Sequence, residues 1–420
     1  RSPLKNAHLR QPARRQRRLS WPTWLLISLL LLGLGVVYKP RILDTQQWTR
    51  EQAFGINRHL LRETLGAKII ENKYPEKISI VREPSAYEAS VEYTIDHELQ
   101  NAVETIFEQY GPDYGVFTAL NPDTGEILAL VNHRRESVAT QNLALQATYP
   151  AASVFKIVTA SAAMDLDKVT PKTVIPFNGK TTSLYRKNVL EHKNNQWTRR
   201  YTLTESFAKS VNTVFARLGI YTIGAEPLTG YGEAFGFNRE LDADFKLAPS
   251  TLKIDPEDNW SIAEVASGYT RSTTLSPVHA AAIAATAING GHLIRPSLVR
   301  QIIAKDGLAV YVQQNQQQPV ISTQTANDLR TLMQTTVSKG SAKSSFKKFF
   351  RGDMKDVEVG GKTGSLTGKN PAGRYDWFVG YAQKDGRKLA FAVMCINKEF
   401  WYVKSAYVAR KAIEHFFGQP

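Results

Sequence analysis

The chain has 420 residues, of which 42% are hydrophobic and 22% are charged, so it is globular and long enough for one large or two ordinary domains. Its single cysteine, Cys395, excludes an internal disulfide framework and any CxxC metal or redox site. The net charge of +15 is concentrated at the start, because residues 1–20 contain seven basic side chains and no acid.

A charge-free segment, residues 21–38, directly follows this basic run. As a helix it would span about 27 Å, close to the hydrocarbon thickness of a bilayer. Aromatic residues at both of its ends favour the membrane interface, and the basic flank favours a cytoplasmic N-terminus. The sequence therefore predicts a transmembrane signal anchor, with residues 39–420 outside the cytoplasm. The alternatives are a cleaved signal peptide, for which no small-x-small cleavage site follows, and nucleic-acid binding by the basic run, which the anchor already explains.

Residues 39–92 are predicted to form a juxtamembrane linker or a small pedestal, with a helix at 48–65 and a strand at 77–82. Clearer signals begin at Asp96, which can cap a helix whose apolar residues recur at helical spacing. Gly111 is followed by proline and ends that helix.

Two blocks of predicted strands lie near the two ends of the remaining chain, separated by a long and mostly helical region. Strands from both blocks are expected to form one antiparallel sheet, which is an α+β pattern rather than βαβ alternation. The predicted fold class is α+β: a central antiparallel sheet flanked by helices, with an inserted mostly helical subdomain, preceded by one transmembrane helix. The predicted strands are residues 116–120, 127–131, 357–359, 377–382 and 389–396, and the predicted helices are residues 154–164, 278–288 and 405–417.

Three short polar motifs occur in a fixed order along the chain. The first has the pattern S-x-x-K, which also occurs at Ser206 and Ser344, so context must separate the three matches. Ser344 lies in a Lys-rich stretch typical of a solvated loop and Ser206 fits an ordinary helix end, whereas Ser153 opens the most apolar helix of the domain. The three motifs are Ser153-Val-Phe-Lys156, Ser210-Val-Asn212 and Lys362-Thr-Gly364-Ser365.

Burial of Lys156 is the physical argument for the first motif. A helix that is apolar on all sides is buried, and an ammonium buried without a partner has a lowered pKa. At a spacing of three residues Ser153 and Lys156 share one helix face, so a neutral Lys156 could accept the hydroxyl proton. A second cation such as Lys362 would lower the pKa of Lys156 further. The structural alternative is a Ser N-cap with a lysine that reaches the surface.

Each of the other two motifs is ambiguous alone. Ser210 and Asn212 fit a turn or a cap, and Lys362 fits a basic strand end. A P-loop is excluded because Asp356 occupies the position that requires glycine. The corner around Lys362 offers one cation, two hydroxyls and backbone N–H groups, which suits a substrate carboxylate and an oxyanion. The order and spacing of all three motifs favour one shared site.

Together the motifs resemble those of the penicillin-binding proteins and the serine β-lactamases, which are S-x-x-K, S-x-N and K-[ST]-G. The intervals of 57 and 152 residues are closer to those of large transpeptidases than to compact β-lactamases. The resemblance covers residues 93–420, which are predicted to be the transpeptidase domain, and it departs from the family at Ala151 and Ala152, where Pro-Gly is usual. Further similar stretches are Tyr93-Thr-Ile-Asp-His-Glu-Leu-Gln100, the segment 120–130, Ala287-Ile-Asn-Gly-Gly291 and Asp376-Trp-Phe-Val-Gly-Tyr381.

The resemblance implies a role for each matching residue, and it implies no metal and no cofactor. The backbone N–H groups of Ser153 and Ser365 would form the oxyanion hole. The implied catalytic residues are Ser153 as the acylated nucleophile, Lys156 as its base, Ser210 as a proton relay, Asn212 as the holder of the substrate amide, and Lys362 as a positive charge; the implied substrate-binding residues are Thr363, Gly364 and Ser365.

The leading interpretation is a membrane-anchored D,D-transpeptidase of the bacterial inner membrane that cross-links peptidoglycan stem peptides, with β-lactams as covalent inhibitors. The expected partners include the membrane and a glycosyltransferase or a division or elongation complex, but no nucleic acid. The alternatives are a D,D-carboxypeptidase or β-lactamase on the same scaffold, and a non-catalytic penicillin-binding sensor or scaffold. Glu257, Asp258 and Glu264 are candidate acids, but none lies in a recognisable water-activating pattern, which favours a long-lived acyl-enzyme.

Overall fold

The computed structural model describes residues 55–418 apart from residues 67, 71, 83–84, 137–140 and 192. The described residues from Ile56 onward form one compact unit. The predicted cytoplasmic tail, the predicted membrane segment at 21–38 and the start of the helix predicted at 48–65 lie outside the described residues. In the part of the chain that the structure describes, no helix combines the length and the apolar character needed to cross a bilayer.

The described helices and strands alternate irregularly along the chain. Short 3₁₀ segments occur at Leu143–Leu145, Ala152–Phe155 and Gly352–Met354, and a π-helical turn occurs at Gly219–Ile223. The α-helices are α1 (Arg58–Leu65), α2 (His97–Tyr110), α3 (Lys156–Asp165), α4 (Arg186–Leu190), α5 (Leu203–Ala208), α6 (Asn212–Leu218), α7 (Ala225–Ala234), α8 (Asn259–Ser267), α9 (Pro277–Ala285), α10 (Thr323–Ser338), α11 (Lys343–Phe346) and α12 (Ser405–Gly418). The strands are β1 (Lys77–Arg82), β2 (Ser85–Tyr93), β3 (Tyr114–Leu120), β4 (Ile127–Arg134), β5 (Tyr149–Pro150), β6 (Val174–Phe177), β7 (Arg199–Thr202), β8 (Thr274–Leu275), β9 (His292–Ile294), β10 (Val299–Ala304), β11 (Ala309–Val312), β12 (Gln317–Pro319), β13 (Glu358–Lys369), β14 (Ala372–Lys384) and β15 (Arg387–Asn397).

A five-stranded antiparallel sheet of order β13-β14-β15-β3-β4 forms the centre of the fold. It joins strands from both ends of the domain, with the helical region inserted between β4 and β13, which confirms the predicted α+β architecture. Successive residues of β15 point to opposite faces, and all from Leu389 onward are buried, so both faces of the sheet are covered. Helices α2 and α12 share one apolar cluster with Phe391 and Val393, and α9 packs against β3, β14 and β15.

Helix α2 confirms the cap and the stop that the sequence predicts. The Asp96 side chain accepts the N–H groups of Glu98 and Leu99 at 3.1 and 3.0 Å, which satisfies two free donors of the first turn. Gly111 ends the helix in the left-handed region, with φ of 50°. The β3–β4 hairpin then leads the chain into the central sheet.

Strand β13 is much longer than predicted: the sequence analysis placed a strand at 357–359, whereas β13 runs from Glu358 to Lys369. Glycines at 360, 361, 364 and 368 lower the strand propensity of this segment. In the fold they make room for aromatic rings of β14: a Cβ at Gly360 would lie 2.6 Å from the Tyr381 ring, and one at Gly368 would lie 2.1 Å from the Tyr375 ring. Strand β13 lies at one edge of the sheet, and it carries the third motif.

A second, four-stranded sheet has the order β1-β2-β10-β11. Strand β2 pairs with β10 from Tyr93 to Ala89, so it crosses the boundary that the sequence analysis placed between residues 92 and 93. Strand β1 occupies the predicted residues 77–82. The short pairs β5–β8, β6–β7 and β9–β12 were not predicted, because strands of two to four residues give little periodic signal.

Candidate active site

Ser153 and Lys156 lie together at the start of α3. Lys156 Nζ is 2.9 Å from Ser153 Oγ, and the lysine side chain is fully buried. Ser153 belongs to the 3₁₀ segment that precedes α3, so its hydroxyl faces the cleft while the apolar helix continues into the core. The chain that leads into Ser153 is held in place by the indole of Trp377, which donates to the Pro150 carbonyl at 3.1 Å.

The amine of Lys156 contacts three oxygens. Its Nζ donates to Asn212 Oδ1 at 2.8 Å and to the backbone carbonyl of Ser267, and it lies beside Ser153 Oγ. A neutral amine has two N–H bonds and one lone pair. When the two carbonyl-type oxygens accept the N–H groups, the lone pair is directed at the Ser153 hydroxyl, as a base requires.

Burial sets the protonation of Lys156. Desolvation, and then the nearby positive charge of Lys362, hold the pKa of Lys156 well below its usual value. Among the described residues no carboxylate forms an ion pair with it that would raise this pKa. The neutral amine that the chemistry needs is therefore the form that burial favours.

Ser210 and Asn212 reach the site from the turn between α5 and α6. Ser210 adopts a positive φ of 56°, a strained conformation for a non-glycine residue, and it receives a hydrogen bond from Lys362 Nζ at 2.9 Å. Asn212 begins α6, and its side chain bridges Lys156 to the carbonyl of Thr182 at 2.8 Å. The second motif thus lies between the two lysines.

Strand β13 brings the third motif to the opposite side of the cleft. Lys362 is fully buried and donates to Ser210 Oγ and to the Thr363 carbonyl, each at 2.9 Å. Desolvation lowers the pKa of Lys362 to about 7. Thr363 Oγ1 is hydrogen-bonded to Ser341 Oγ at 2.6 Å, while Ser365 is exposed on the strand.

The three motifs meet at a cleft of about 460 Å³. Lys156 and Lys362 lie behind its wall, and the other residues of the three motifs face it. The structure therefore brings together the eight residues to which the family resemblance assigns a role, but not the candidate acids Glu257, Asp258 and Glu264. The lining residues from the three motifs are Ser153, Ser210, Asn212, Thr363, Gly364 and Ser365.

A close backbone contact holds the turn that presents Ser153. Ala152 has a positive φ of 48°, which favours glycine, at the position where glycine is usual in the resembling family. Gly268, with φ of 65°, lies against this turn, and a Cβ there would be 1.9 Å from the Ala152 carbonyl oxygen. The neighbouring Ser267 carbonyl can therefore reach Lys156.

Comparison with known families shows which family the chain belongs to. Residues 115–414 match the family described as the penicillin-binding protein transpeptidase domain. The chain belongs to the penicillin-binding protein transpeptidase family. The resemblance predicted from the motifs is confirmed.

Curated members of this family include two proteins with named cellular roles. The chain is 30% identical over 344 residues to the peptidoglycan D,D-transpeptidase PbpA of Mycobacterium tuberculosis, which covers 73% of this chain and 67% of that protein. It is 26% identical over 335 residues to the stage V sporulation protein D of Bacillus subtilis, which covers 74% of this chain and 49% of that protein.

Solved structures of PbpA from Mycobacterium tuberculosis share the fold. One crystal structure has a TM-score of 0.62 at 28% identity and covers 79% of this chain and 81% of that chain. The imipenem acyl-enzyme complex of the same protein has a TM-score of 0.62 at 27% identity and covers 78% of this chain and 79% of that chain.

Several residues of this transpeptidase cleft were missed by the sequence analysis. The carbonyls of Ser267 and Thr182 act through the backbone, so no side-chain pattern could indicate them. Ser341 has no motif of its own and meets Thr363 only in the fold. Asp376 lies in a stretch that the family resemblance had already selected, and it is the register partner of Ser365, so that stretch could have indicated it.

The other two S-x-x-K matches do not form a serine–lysine pair like the first. Ser206 is buried inside α5, and its hydroxyl has no hydrogen-bond partner among the described residues. Ser344 is exposed at the edge of the cleft on the short helix α11, so the expectation of a loop there was wrong. In the part of the chain that the structure describes, neither serine is hydrogen-bonded to the lysine of its own motif.

Proposed function

We propose that this protein is a membrane-anchored D,D-transpeptidase that cross-links peptidoglycan stem peptides through a serine acyl-enzyme on Ser153. The observation that carries this proposal is the buried Lys156 amine, 2.9 Å from Ser153 Oγ, with a pKa that burial lowers. Family membership and the named activity of PbpA support the same reaction.

Acylation begins at Ser153. Its Oγ forms a bond to the carbonyl carbon of the terminal D-Ala–D-Ala amide, and its proton passes to the neutral amine of Lys156. The backbone N–H groups of Ser153 and Ser365, which the family resemblance assigns, would stabilise the developing oxyanion. The C–N bond then breaks, and the departing D-Ala amine takes up a proton.

Ser210 is suited to return that proton. It bonds Lys362 Nζ, while Asn212 bonds Lys156, so one short polar network joins the two lysines to the second motif. A hydroxyl can donate and accept at once, so Ser210 would relay the proton from Lys156 to the leaving amine. The side-chain amide of Asn212 would also hold the substrate amide in place.

The end of the cleft at β13 is suited to the terminal carboxylate. Thr363 and Ser365 offer hydroxyl donors. A Cβ at Gly364 would lie 3.2 Å from Val154 and 3.3 Å from Trp377, so glycine there lets the strand pack closely against the segment that carries Ser153. The charge on Lys362 lies directly behind these donors. An anion is therefore favoured here over a neutral chain end.

The fate of the acyl-enzyme separates a transpeptidase from a hydrolase. Glu257, Asp258 and Glu264 are absent from the described lining of the cleft, and Asp258 instead caps α8. The carboxyl group in that lining belongs to Asp376, which accepts the Ser405 N–H at 2.8 Å. This arrangement favours an acyl-enzyme that is hydrolysed slowly and therefore persists until an amine acceptor binds.

A cross-linking assay tests the proposal. The full chain would be given a stem-peptide donor ending in D-Ala–D-Ala and an amine acceptor, and products would be resolved by mass spectrometry. We expect cross-linked dimer, and a penicilloyl-enzyme that persists for many minutes after free drug is removed. Hydrolysed donor without dimer would make the protein a carboxypeptidase, and deacylation at about once per second would make it a β-lactamase.

The location forms part of the proposal. The charge-free residues 21–38 and the basic tail support a single-pass protein of the bacterial inner membrane, with the catalytic domain outside the cytoplasm. External protease should digest that domain in spheroplasts. A domain that stays protected there, or that is released in a form shortened by about 40 residues at a signal-peptide cleavage site, would contradict the anchor. A glycosyltransferase or a division or elongation complex is the proposed protein partner.

A further inference from the structure

A second groove lies beside the catalytic cleft and is lined by a different set of residues. Its volume is about 660 Å³, and it lies between α4, the segment that follows β6, and the loop that precedes β7. Its lining combines one indole, several amides and charges of both signs. The lining residues are Asn178, Lys187, Asn188, Leu190, Glu191, Lys193, Asn195 and Trp197.

Trp197 is exposed: 76% of its surface is accessible to solvent. The loop that carries it is held in place by a chain of hydrogen bonds. The backbone N–H of Trp197 donates to Asn195 Oδ1 at 2.8 Å, and the backbone N–H of Asn195 donates to Thr198 Oγ1 at 2.8 Å. Thr198 Oγ1 in turn donates to Asn178 Oδ1 at 2.9 Å. An exposed indole on a braced loop is a preorganised contact surface.

The two walls of the groove are anchored in the core. Val189 and Leu184 of the α4 wall pack with Ala216 and Ala263, and Arg217 donates to the Val189 carbonyl at 3.1 Å. On the other wall, the rings of Phe177 and Tyr201 lie 5.1 Å apart across the β6–β7 pair. These core contacts therefore hold both walls in place before any ligand arrives.

The groove is connected to the catalytic cleft by five residues of chain. Asn178 lines the groove, and Thr182 lines the cleft and accepts the Asn212 side chain through its carbonyl. Fully extended, four residue steps span at most about 14 Å. A polymer in the groove would thus lie within reach of a short peptide that enters the cleft.

The lining favours a neutral, hydroxylated ligand. Trp197 and Leu190 supply too little apolar surface for an acyl chain, and Glu191 partly compensates the charges of Lys187 and Lys193, which disfavours a polyanion. A flat aromatic face beside amide groups matches a sugar ring, whose C–H face can lie on the indole while its hydroxyls bond the rim.

We infer that this groove binds the glycan strand to which the donor stem peptide is attached. The inference rests on the proposed function, because a stem peptide that reaches Ser153 brings its glycan within a few residues' length of the cleft. The groove would raise the local concentration of donor peptides by holding their polymer, and it would give polymeric substrate an advantage over free peptide.

The test uses the full chain and substitutions at two exposed aromatic residues. Binding of chitotetraose, the tetramer of N-acetylglucosamine, would be measured by calorimetry for wild type, Trp197→Ala, Trp197→Phe and the control Tyr221→Ala. Tyr221 is 54% exposed and lies outside the lining of the groove. We expect Trp197→Ala to weaken binding about tenfold, Trp197→Phe to restore most of it, and Tyr221→Ala to leave it unchanged. Equal binding by Trp197→Ala, no measurable binding by wild type, or loss of binding in high salt would overturn the inference.

A kinetic arm separates this inference from the proposed function. With un-cross-linked polymeric peptidoglycan as donor, Trp197→Ala should raise KM about tenfold with kcat unchanged. With a soluble stem peptide as donor, Trp197→Ala should have the same KM and kcat as wild type. Equal KM values for the polymer would contradict the glycan site. Failure of wild type to form an acyl-enzyme with penicillin would instead overturn the proposed function, whatever chitotetraose does.

Discussion

Lys156 and Lys362 are both fully buried, and both are hydrogen-bonded to hydroxyl and carbonyl oxygens. A carboxylate partner would hold each lysine charged, because an opposite charge raises the pKa of an amine. Neither has such a partner among the described residues, so desolvation lowers the pKa of both. The two lysines differ in position: Lys156 lies beside Ser153, the proposed nucleophile, and Lys362 lies behind Thr363, a proposed donor to the substrate carboxylate.

This pair of lysines predicts a bell-shaped pH profile. The acylation rate kcat/KM should rise as pH passes the lowered pKa of Lys156, because only the neutral amine accepts the Ser153 proton. It should fall above pH about 7, where Lys362 loses the charge that attracts the substrate carboxylate. Stopped-flow acylation by a chromogenic cephalosporin would follow both limbs.

Lys362→Arg is the variant that assigns the falling limb. Arginine keeps its charge across this pH range, so the fall above pH about 7 should disappear even if the maximal rate drops. A falling limb that stays near pH 7 in this variant would exclude Lys362 as its source.

Gly268 provides a second prediction at the residue scale. Alanine there would place a Cβ 1.9 Å from the Ala152 carbonyl oxygen and would strain a residue with φ of 65°. The turn that presents Ser153 must shift, so we expect Gly268→Ala to slow acylation at least tenfold. Gly230→Ala in α7 is the matched control, because a Cβ there meets nothing within 4 Å. Equal acylation rates for the two variants would show that the turn does not depend on this contact.

At the scale of elements, one residue joins α12 to the central sheet. Ser405 donates its hydroxyl to the Asp376 carbonyl, accepts the Cys395 N–H at 3.1 Å, and donates its own N–H to the Asp376 side chain at 2.8 Å. Helix α12 covers an apolar face of that sheet, so its start is fixed where the sheet is most buried.

Removal of the Ser405 hydroxyl should therefore be costly. Ser405→Ala would leave a buried carbonyl and a buried N–H without this partner, and we expect the free energy of unfolding to fall by about 1–3 kcal/mol. Ser206→Ala is the control, since the Ser206 hydroxyl is also fully buried but has no partner among the described residues. Urea denaturation would measure both variants. A loss for Ser206→Ala as large as that for Ser405→Ala would contradict the argument.

Long elements with regular periodicity could be predicted from the sequence, while short or glycine-rich ones could not. Helix α2 had a cap, an apolar stripe and a glycine stop, and the strands predicted at 116–120 and 127–131 lie within β3 and β4. Strand β13 was missed over most of its length because its glycines are explained only by the Tyr381 and Tyr375 rings of the neighbouring strand. The four-stranded sheet joins residues more than 200 positions apart, such as Tyr93 and Val299, and local patterns carry no information on such pairing.

At the scale of the whole molecule, the residues that meet in the cleft could be predicted from the sequence, while the backbone groups that support them could not. Ser153, Ser210 and Lys362 lie in motifs with a fixed order, and the fold brings them into one cleft. The carbonyls of Ser267 and Thr182 hold Lys156 and Asn212 through backbone atoms that any residue possesses. Only the folded chain shows that these carbonyls direct the Lys156 amine toward Ser153.

A buried histidine predicts how the stability of the domain depends on pH. His279 in α9 bonds Ser250 and the Phe235 carbonyl, each at 2.7 Å, and burial, with a further contribution from Arg239, lowers its pKa to about 4. The unfolded chain binds the proton near pH 6.5, so the unfolded state takes up more protons between pH 6.5 and 4. Stability is therefore full above pH 6.5 and is lost as pH falls toward 4, by about 3 kcal/mol.

Urea titrations at pH 7, 6, 5 and 4 would measure this loss. In His279→Gln the part of the pH dependence that belongs to this residue should disappear, although the variant is less stable at pH 7 because it disrupts a buried pair of hydrogen bonds. An unchanged slope between pH 6 and 4 in the variant would show that other groups cause the loss.

Mapping of the covalent penicillin adduct tests the central claim most directly. The full chain would be labelled with a fluorescent penicillin, digested, and the labelled peptide sequenced by mass spectrometry, for wild type, Ser153→Ala and Ser206→Ala. The account predicts one adduct, on Ser153, which is lost in Ser153→Ala and kept in Ser206→Ala. The Ser153 hydroxyl lies in the cleft, 2.9 Å from the buried Lys156 amine, whereas the Ser206 hydroxyl is buried and has no hydrogen-bond partner among the described residues. An adduct on any other serine, or labelling that survives Ser153→Ala, would contradict it.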